Sequence, residues 1–246
     1  MNKIAIIGGS GLTKLSGLEV ISEVESATPW GDPSAPITFG KINNLEILFL
    51  PRHGIAHTIP PHKINYRANL WALHKHEVNE IIAINAVGGI TEKMTPCSIV
   101  IPNQLIDYTH SRANTFYEDN LTDVKHIDFT KPYSELLRQQ LIDTASKNKL
   151  EIISEGTYAV TQGPRLETAA EVSRLEKDGN DIIGMTSMPE ASLARELEIN
   201  YACCALVVNW AAGKTDEIIS METIEENLKE GLSRMRFLIE KYIANK

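Results

Sequence analysis

The sequence predicts an α/β fold in which a mixed, distorted, barrel-like β-sheet is flanked by helices, in a single domain spanning residues 1–246. Three observations lead there. Short Ile- and Val-rich runs recur along the chain, segments with helical spacing lie between them, and no linker, repeat or low-complexity stretch divides it. At 246 residues, with 43% hydrophobic and 23% charged content, the chain has the size at which one α/β core can be fully buried.

The expected strands are residues 3–7, 46–50, 80–85, 98–102, 157–161, 181–184 and 201–208. Each is a short apolar run bounded by Gly, Pro or polar residues, the pattern of strands covered on both faces. Helical spacing predicts helices over 66–76, 133–147, 167–178, 189–197 and 221 to about 243. The last carries a start signal, with Ser220 as N-cap, Glu222 in the first turn and Thr223 at the third position. Residues 103–132 are polar, irregular and longer than most loops, a length that often accompanies a ligand site or a subunit contact.

A net charge of -8 and the lack of any Lys/Arg run argue against a nucleic-acid groove, so an anionic ligand would have to be small and locally held. Cys97, Cys203 and Cys204 form an odd set, two of them inside an apolar run, which fits a reducing, cytoplasmic compartment. The opening MNKIAIIGGSG is far shorter in apolar length than a signal segment or a ~20-residue span, so neither export nor membrane insertion is expected. No metal is expected either: His74 and His76 are two apart on a helix, facing different ways, and no Cys-x-x-Cys occurs.

Small and polar residues gather where the expected strands stop. Ile7-Gly8-Gly9-Ser10-Gly11-Leu12 follows the first strand, where backbone amides and the Ser10 hydroxyl could cradle an anion. It is not a dinucleotide fingerprint, because position 14 is Lys, and it lacks the ending of a P-loop. Taken alone it equally describes a tight turn. Pro51-Arg52-His53-Gly54 ends another strand; Arg52 offers forked donors suited to phosphate and His53 one more, although a solvated turn would look the same. Asn85-Ala86-Val87-Gly88-Gly89 and Gly184-Met185-Thr186-Ser187 complete four such ends, the region in which open α/β sheets collect ligands.

Those motifs, with HTIPPHKINYRANLWAL, VTQGPRLET, GMTSMPEA and VVNWAAG, resemble the trimeric purine nucleoside phosphorylase and methylthioadenosine phosphorylase family, in order from Ile4 to about Leu232. The resemblance implies a pentosyltransferase that uses inorganic phosphate as co-substrate, needs no cofactor, and assembles as a homotrimer or a dimer of trimers. It implies a phosphate site of Ser10, Arg52, His53, the Ala86 amide and Thr186, with Asn85 beside them. Met185 would lie under the ribose, Leu166 and Glu167 would border the base, and Asn209 would face its imidazole edge. Without the resemblance, Met185 reads as core and Asn209 as a strand cap. His126, with Phe129, matches a segment that in this family reaches a neighbour's site. Leu166 stands where the family usually has Phe, which weakens stacking on the purine.

Hydrogen-bond inventories choose the base. A 6-oxopurine presents N1–H as donor and O6 as acceptor, and adenine reverses both; a carboxylate only accepts, whereas an Asn amide does both. Glu167 and Asn209 therefore pair every polar edge of hypoxanthine. The adenine-selective branch has a small hydroxyl residue and an Asp at these positions. On the 5′ side the oxopurine enzymes place a His near the start of the last helix, yet none follows His126 here. Met221, near Ile218 and Ile219, instead offers apolar surface suited to a methylthio group, unless it belongs to the buried stripe of that helix. The expected reaction is phosphorolysis of S-methyl-5′-thioinosine in purine salvage. Rival readings are a methylthioadenosine phosphorylase, an inosine/guanosine phosphorylase, and a catalytically silent nucleoside sensor.

Overall fold

In a computed structural model of the chain, described for residues 3–9, 15–42, 45–119, 122–216 and 218–246, ten strands form one mixed sheet. They are β1 (Ile4–Gly8), β2 (Glu19–Val24), β3 (Ile37–Ile42), β4 (Leu45–Pro51), β5 (Glu80–Gly89), β6 (Ile99–Val100), β7 (Gln104–Asp107), β8 (Thr157–Val160), β9 (Ile182–Gly184) and β10 (Asn200–Trp210). The helices are α1 (Tyr66–Lys75), α2 (Glu135–Lys147), α3 (Ala169–Lys177), α4 (Glu190–Glu196) and α5 (Met221–Ala244). Among the described residues no helix is long and apolar enough to cross a membrane.

The sheet runs β2-β3-β4-β1-β5-β9-β8-β7, with β10 also on β5 and β6 on β10. Its distortion takes the form of a branch at β5. β10 follows β5 along its whole length, from Asn200 opposite Glu80 to Trp210 opposite Gly89. Two further strands share β5: β1 pairs with residues 80–83, and β9 with Gly88 and Gly89. Between those stretches, at residues 84–87, β1 and β9 diverge and the sheet splits.

Alternation of side chains divides the core between the two faces. Ala5, Ile7, Leu48 and Leu50 pack with Leu70 and Leu73 of α1 and Leu193 of α4. Ile4, Ile6, Ile47 and Phe49 pack with Leu137 and Leu141 of α2 and with Leu238, Ile239 and Tyr242 of α5. The adjacent thiols of Cys203 and Cys204 point to opposite faces and behave as small hydrophobes there.

The sequence-based boundaries shift in places. β5 does not stop at Asn85 but continues through Gly89, because β9 replaces β1 as its partner. A Cβ on Gly89 would run into the Met94 carbonyl, so glycine here serves a close backbone approach within the strand rather than a turn. β2, β3 and β7 were not expected. α2 starts two residues late, since Ser134 caps it by accepting from Leu137 N, and α3 starts after Thr168, which forms a capping box with Glu171. Ser220 caps α5 as expected, accepting from Thr223 N at 3.1 Å.

Candidate active site

The split at residues 84–87 opens where β1, β4 and β9 all end. Ala86 is the one exposed residue of an otherwise buried β5, so the strand backbone is bare there. Ile84 turns its carbonyl toward Arg52, which donates to it from Nη1 at 3.0 Å. The two-residue repeat of a strand puts the Ala86 N–H on that same edge.

Arg52 joins the elements around the split. Its backbone N–H donates to Gly8 O at 3.0 Å, tying the end of β4 to that of β1. Its side chain is 2% exposed and grips Glu190 of α4 by a fork, Nε to Oε2 at 2.7 Å and Nη2 to Oε1 at 2.8 Å. The Tyr201 hydroxyl of β10 donates to the same Oε1 at 2.8 Å. Burial opposes the charge on Arg52, but the Glu190 carboxylate outweighs it and the guanidinium pKa is raised. Of five guanidinium N–H groups, Glu190 and Ile84 take three; among the described residues one on Nη1 and one on Nη2 stay unengaged. The sequence had offered the whole fork to phosphate.

His53 also differs from its expected role as an extra donor. Its Nδ1 lies 2.8 Å from Ile59 O, and a carbonyl only accepts, so Nδ1 carries the proton. Burial lowers its pKa to about 4, with Arg52 and His57 adding to the effect against the Ile59 carbonyl. At neutral pH Nε2 is therefore a lone-pair acceptor, suited to a protonated phosphate oxygen. Stability should follow from this. As pH falls, the unfolded chain protonates near the ordinary value of about 6.5, whereas the folded one resists until about 4. Stability is lost across that interval. His53→Gln is expected to show a shallower fall in melting temperature between those pH values; an unchanged slope would contradict the assignment.

On the opposite wall Asn85 holds Thr186. Its amide donates from Nδ2 to Thr186 Oγ1 at 2.6 Å, and Cys203 Sγ donates to its Oδ1 at 3.2 Å. Thr186 Oγ1 accepts from Asn85 and also interacts with the buried Tyr158 hydroxyl, so its position is fixed from two sides. Next to it, half-buried Met185 packs its Sδ against Gly163, where a Cβ would collide with it.

Glu167 follows β8 and Asn209 sits in β10, and each is anchored separately. Thr161, at the end of β8, donates to Glu167 Oε1 at 2.6 Å, fixing the carboxylate and leaving Oε2 open. Asn209 lies opposite Gly88 and donates from Nδ2 to Trp210 O at 2.7 Å, which leaves its second N–H and Oδ1 available. A Cβ on Gly88 would lie 3.4 Å from that Nδ2 and 3.1 Å from Ile183 Cγ2, so glycine there preserves room for the amide. A cavity of about 500 Å³, within the range of small-molecule sites, opens beside Thr161, Gly163 and Glu167, and its lining includes neither the groups around Arg52 and Thr186 nor Asn209. Another of about 540 Å³, between Asp128, Tyr133, Arg195 and Asn200, shares none of the residues above except Tyr201.

Arg52, through Ile84 O, and Thr186, through Asn85, are thus hydrogen-bonded to β5 at the split, with His53, Ala86 and Met185 their chain neighbours, and Glu167 is connected through Thr161 to Gly184. Ser10 lies outside the described residues. Met221 is 66% exposed and Ile218 93%, so Met221 does not join the buried stripe of α5; Ile224 packs there instead. Leu166 is 47% exposed. His126 is exposed and makes no hydrogen bond to the cluster, while Phe129 packs on its own chain's core. Glu190, Tyr201, Thr161 and Cys203 support the site without having been picked out from sequence.

The sheet splits beside a buried Arg–Glu pair and collects hydroxyl, amide and carboxylate side chains at its strand ends, an α/β architecture. The chain belongs to the phosphorylase superfamily, whose sequence pattern matches residues 3–244. Relatives include a probable S-methyl-5'-thioinosine phosphorylase of Pseudomonas syringae pv. tomato, 49% identical over 244 residues and 99% of each chain. A 6-oxopurine nucleoside phosphorylase of Pyrococcus furiosus is 44% identical over 235 residues, 94% of this chain and 88% of the relative. Among solved structures, methylthioadenosine phosphorylase from Schistosoma mansoni in complex with adenine superposes with a TM-score of 0.94 at 32% identity, covering 99% of this chain and 91% of that one.

Proposed function

We propose that the protein phosphorolyses S-methyl-5′-thioinosine to hypoxanthine and 5-methylthioribose 1-phosphate, a purine-salvage reaction. Two observations carry the base assignment: the Glu167 carboxylate is fixed by Thr161 with Oε2 open, and the Asn209 amide is anchored on Trp210 O with one N–H and Oδ1 unengaged among the described residues. Glu167 accepts from N1–H, and Asn209 donates to O6 and accepts from N7–H, so the three groups that distinguish hypoxanthine at these positions are each paired. Adenine would set its N1 lone pair against the carboxylate, and a buried unpaired polar group costs about 1–3 kcal/mol. The names of the relatives agree with an oxopurine base and a methylthio sugar.

In the reaction the N9–C1′ bond breaks as an oxygen of hydrogen phosphate bonds to C1′, and the departing purine anion is neutralised at N7 by the proton that phosphate gives up on forming the ester, passed through solvent. Arg52, His53, Ser10, Thr186 and the Ala86 amide hold the phosphate, and Met185 lies under the sugar. The protein supplies position and electrostatics, with no covalent intermediate. Met221 and Ile218 give the methylthio group an apolar wall, and a neighbouring copy in a homotrimer brings His126 over it. The test is Glu167→Ser combined with Asn209→Asp. Preference should move from methylthioinosine toward methylthioadenosine on the order of 10²-fold. Retained selectivity for the oxopurine would refute the base assignment.

A further inference from the structure

We propose that Arg112 is the positioning residue that keeps the base wall and the sugar wall of the site in register, an inference that rests on reading this cleft as a nucleoside pocket. Arg112 lies in the irregular segment between β7 and α2, and its half-buried guanidinium reaches the loops that follow both β8 and β9. On the β8 side Nε donates to Gln162 Oε1 at 3.1 Å, and Nη2 donates to the carbonyls of Thr161 at 3.2 Å and Gln162 at 2.8 Å. On the β9 side Nη1 donates to the carbonyls of Met185 at 2.8 Å and Met188 at 2.6 Å. The guanidinium has five N–H groups, and these five acceptors engage all of them. None is left for a ligand, so Arg112 acts through the loops it holds.

Those loops carry the groups that would meet the nucleoside. Thr161, whose carbonyl Arg112 binds, fixes Glu167 by its hydroxyl, and Met185 adjoins Thr186. The loops press together where Gly163, at φ +61, lies against the Met185 thioether. Arg112 is seated in turn by Tyr66 of α1, whose ring centroid is 5.6 Å from the guanidinium carbon and whose hydroxyl is 3.3 Å from Nη1. A planar fork can serve carbonyls of two loops at once; the three tetrahedral donors of lysine cannot match that geometry. Beyond Arg112 the two loops are joined by packing and at Thr161, whose N–H and hydroxyl donate to Gly184 O at 2.8 and 3.3 Å, so Arg112 is the contact that carries this register out to Met185 and Met188.

The experiment compares wild type, R112A and R112K in phosphate-dependent release of hypoxanthine from methylthioinosine, with melting curves for each. Misplacing reacting groups by about 1 Å can cost on the order of 10²-fold in rate, and a loss of that order in kcat/KM for the nucleoside is expected in both variants. The KM for phosphate should rise less than that for the nucleoside, because Arg52 and His53 approach from β4 and Asn85 of β5 holds Thr186 independently of Arg112. Added guanidinium should restore part of the R112A activity and none of the R112K activity. Wild-type nucleoside kinetics in either folded variant would overturn the proposal, as would equal losses toward nucleoside and phosphate. Should R112A fail to fold, R112K decides by its KM split. A wild-type chain that phosphorolyses no purine nucleoside would instead overturn the functional reading, and this proposal with it.

Discussion

Asn209→Ala is expected to lower turnover on the order of 10²- to 10³-fold, the scale of losing one preorganised hydrogen-bonding group at a site of developing charge. Charge appears on the purine as the glycosidic bond breaks, and in the proposed site Asn209 meets it with an oxygen for N7–H and an N–H for O6. The side chain needs no reorganisation to do so, because its other N–H is already anchored on Trp210 O at 2.7 Å. Phosphate binding should change little, since Arg52, Thr186 and the Ala86 amide do not rely on this amide. Steady-state kinetics with varied phosphate separate the two effects. Unchanged turnover would remove Asn209 from the mechanism.

The second large effect is structural in origin. Glu190 is fully buried and grips Arg52 with two hydrogen bonds, while Tyr201 donates to the same carboxylate. Breaking a buried pair by removing one partner typically costs about 3–5 kcal/mol, because the other charge is left uncompensated. At roughly 2–4 °C per kcal/mol for a chain of this size, Glu190→Ala should melt many degrees lower than wild type. It should also raise the KM for phosphate, since Arg52 loses the support that aims its remaining donors. Inorganic phosphate should recover part of the lost melting temperature by supplying a negative charge to Arg52. A variant with wild-type melting and wild-type phosphate kinetics would show that the pair supports neither fold nor site.

The legible parts of the chain are those whose physics is local. β1 and β10 are apolar on both faces and read directly as covered strands. α5 announces itself through Ser220 and Thr223. β2 was missed because it is solvent-exposed along nearly its whole length and shows no apolar periodicity. β5 was cut short because two consecutive glycines look like a turn, whereas Gly89 is required by the approach of Met94. At the site, Arg52, His53, Thr186 and Asn209 could be named from motifs. What the fold adds is direction: how much of Arg52 is left for an anion, and which nitrogen of His53 carries a proton. Glu190 lies 138 residues from Arg52, and the carbonyls that Arg112 binds lie 49 to 76 residues beyond it. No spacing rule reaches such partners.

The most direct test is kcat/KM for methylthioinosine, methylthioadenosine and inosine, each with phosphate and without it. Glu167 and Asn209 predict that methylthioinosine exceeds methylthioadenosine on the order of 10²-fold. The exposed Met221 predicts that methylthioinosine also exceeds inosine, and the Arg52 cradle predicts no release of base without phosphate. Preference for methylthioadenosine, or equal release of base without phosphate, would contradict the account.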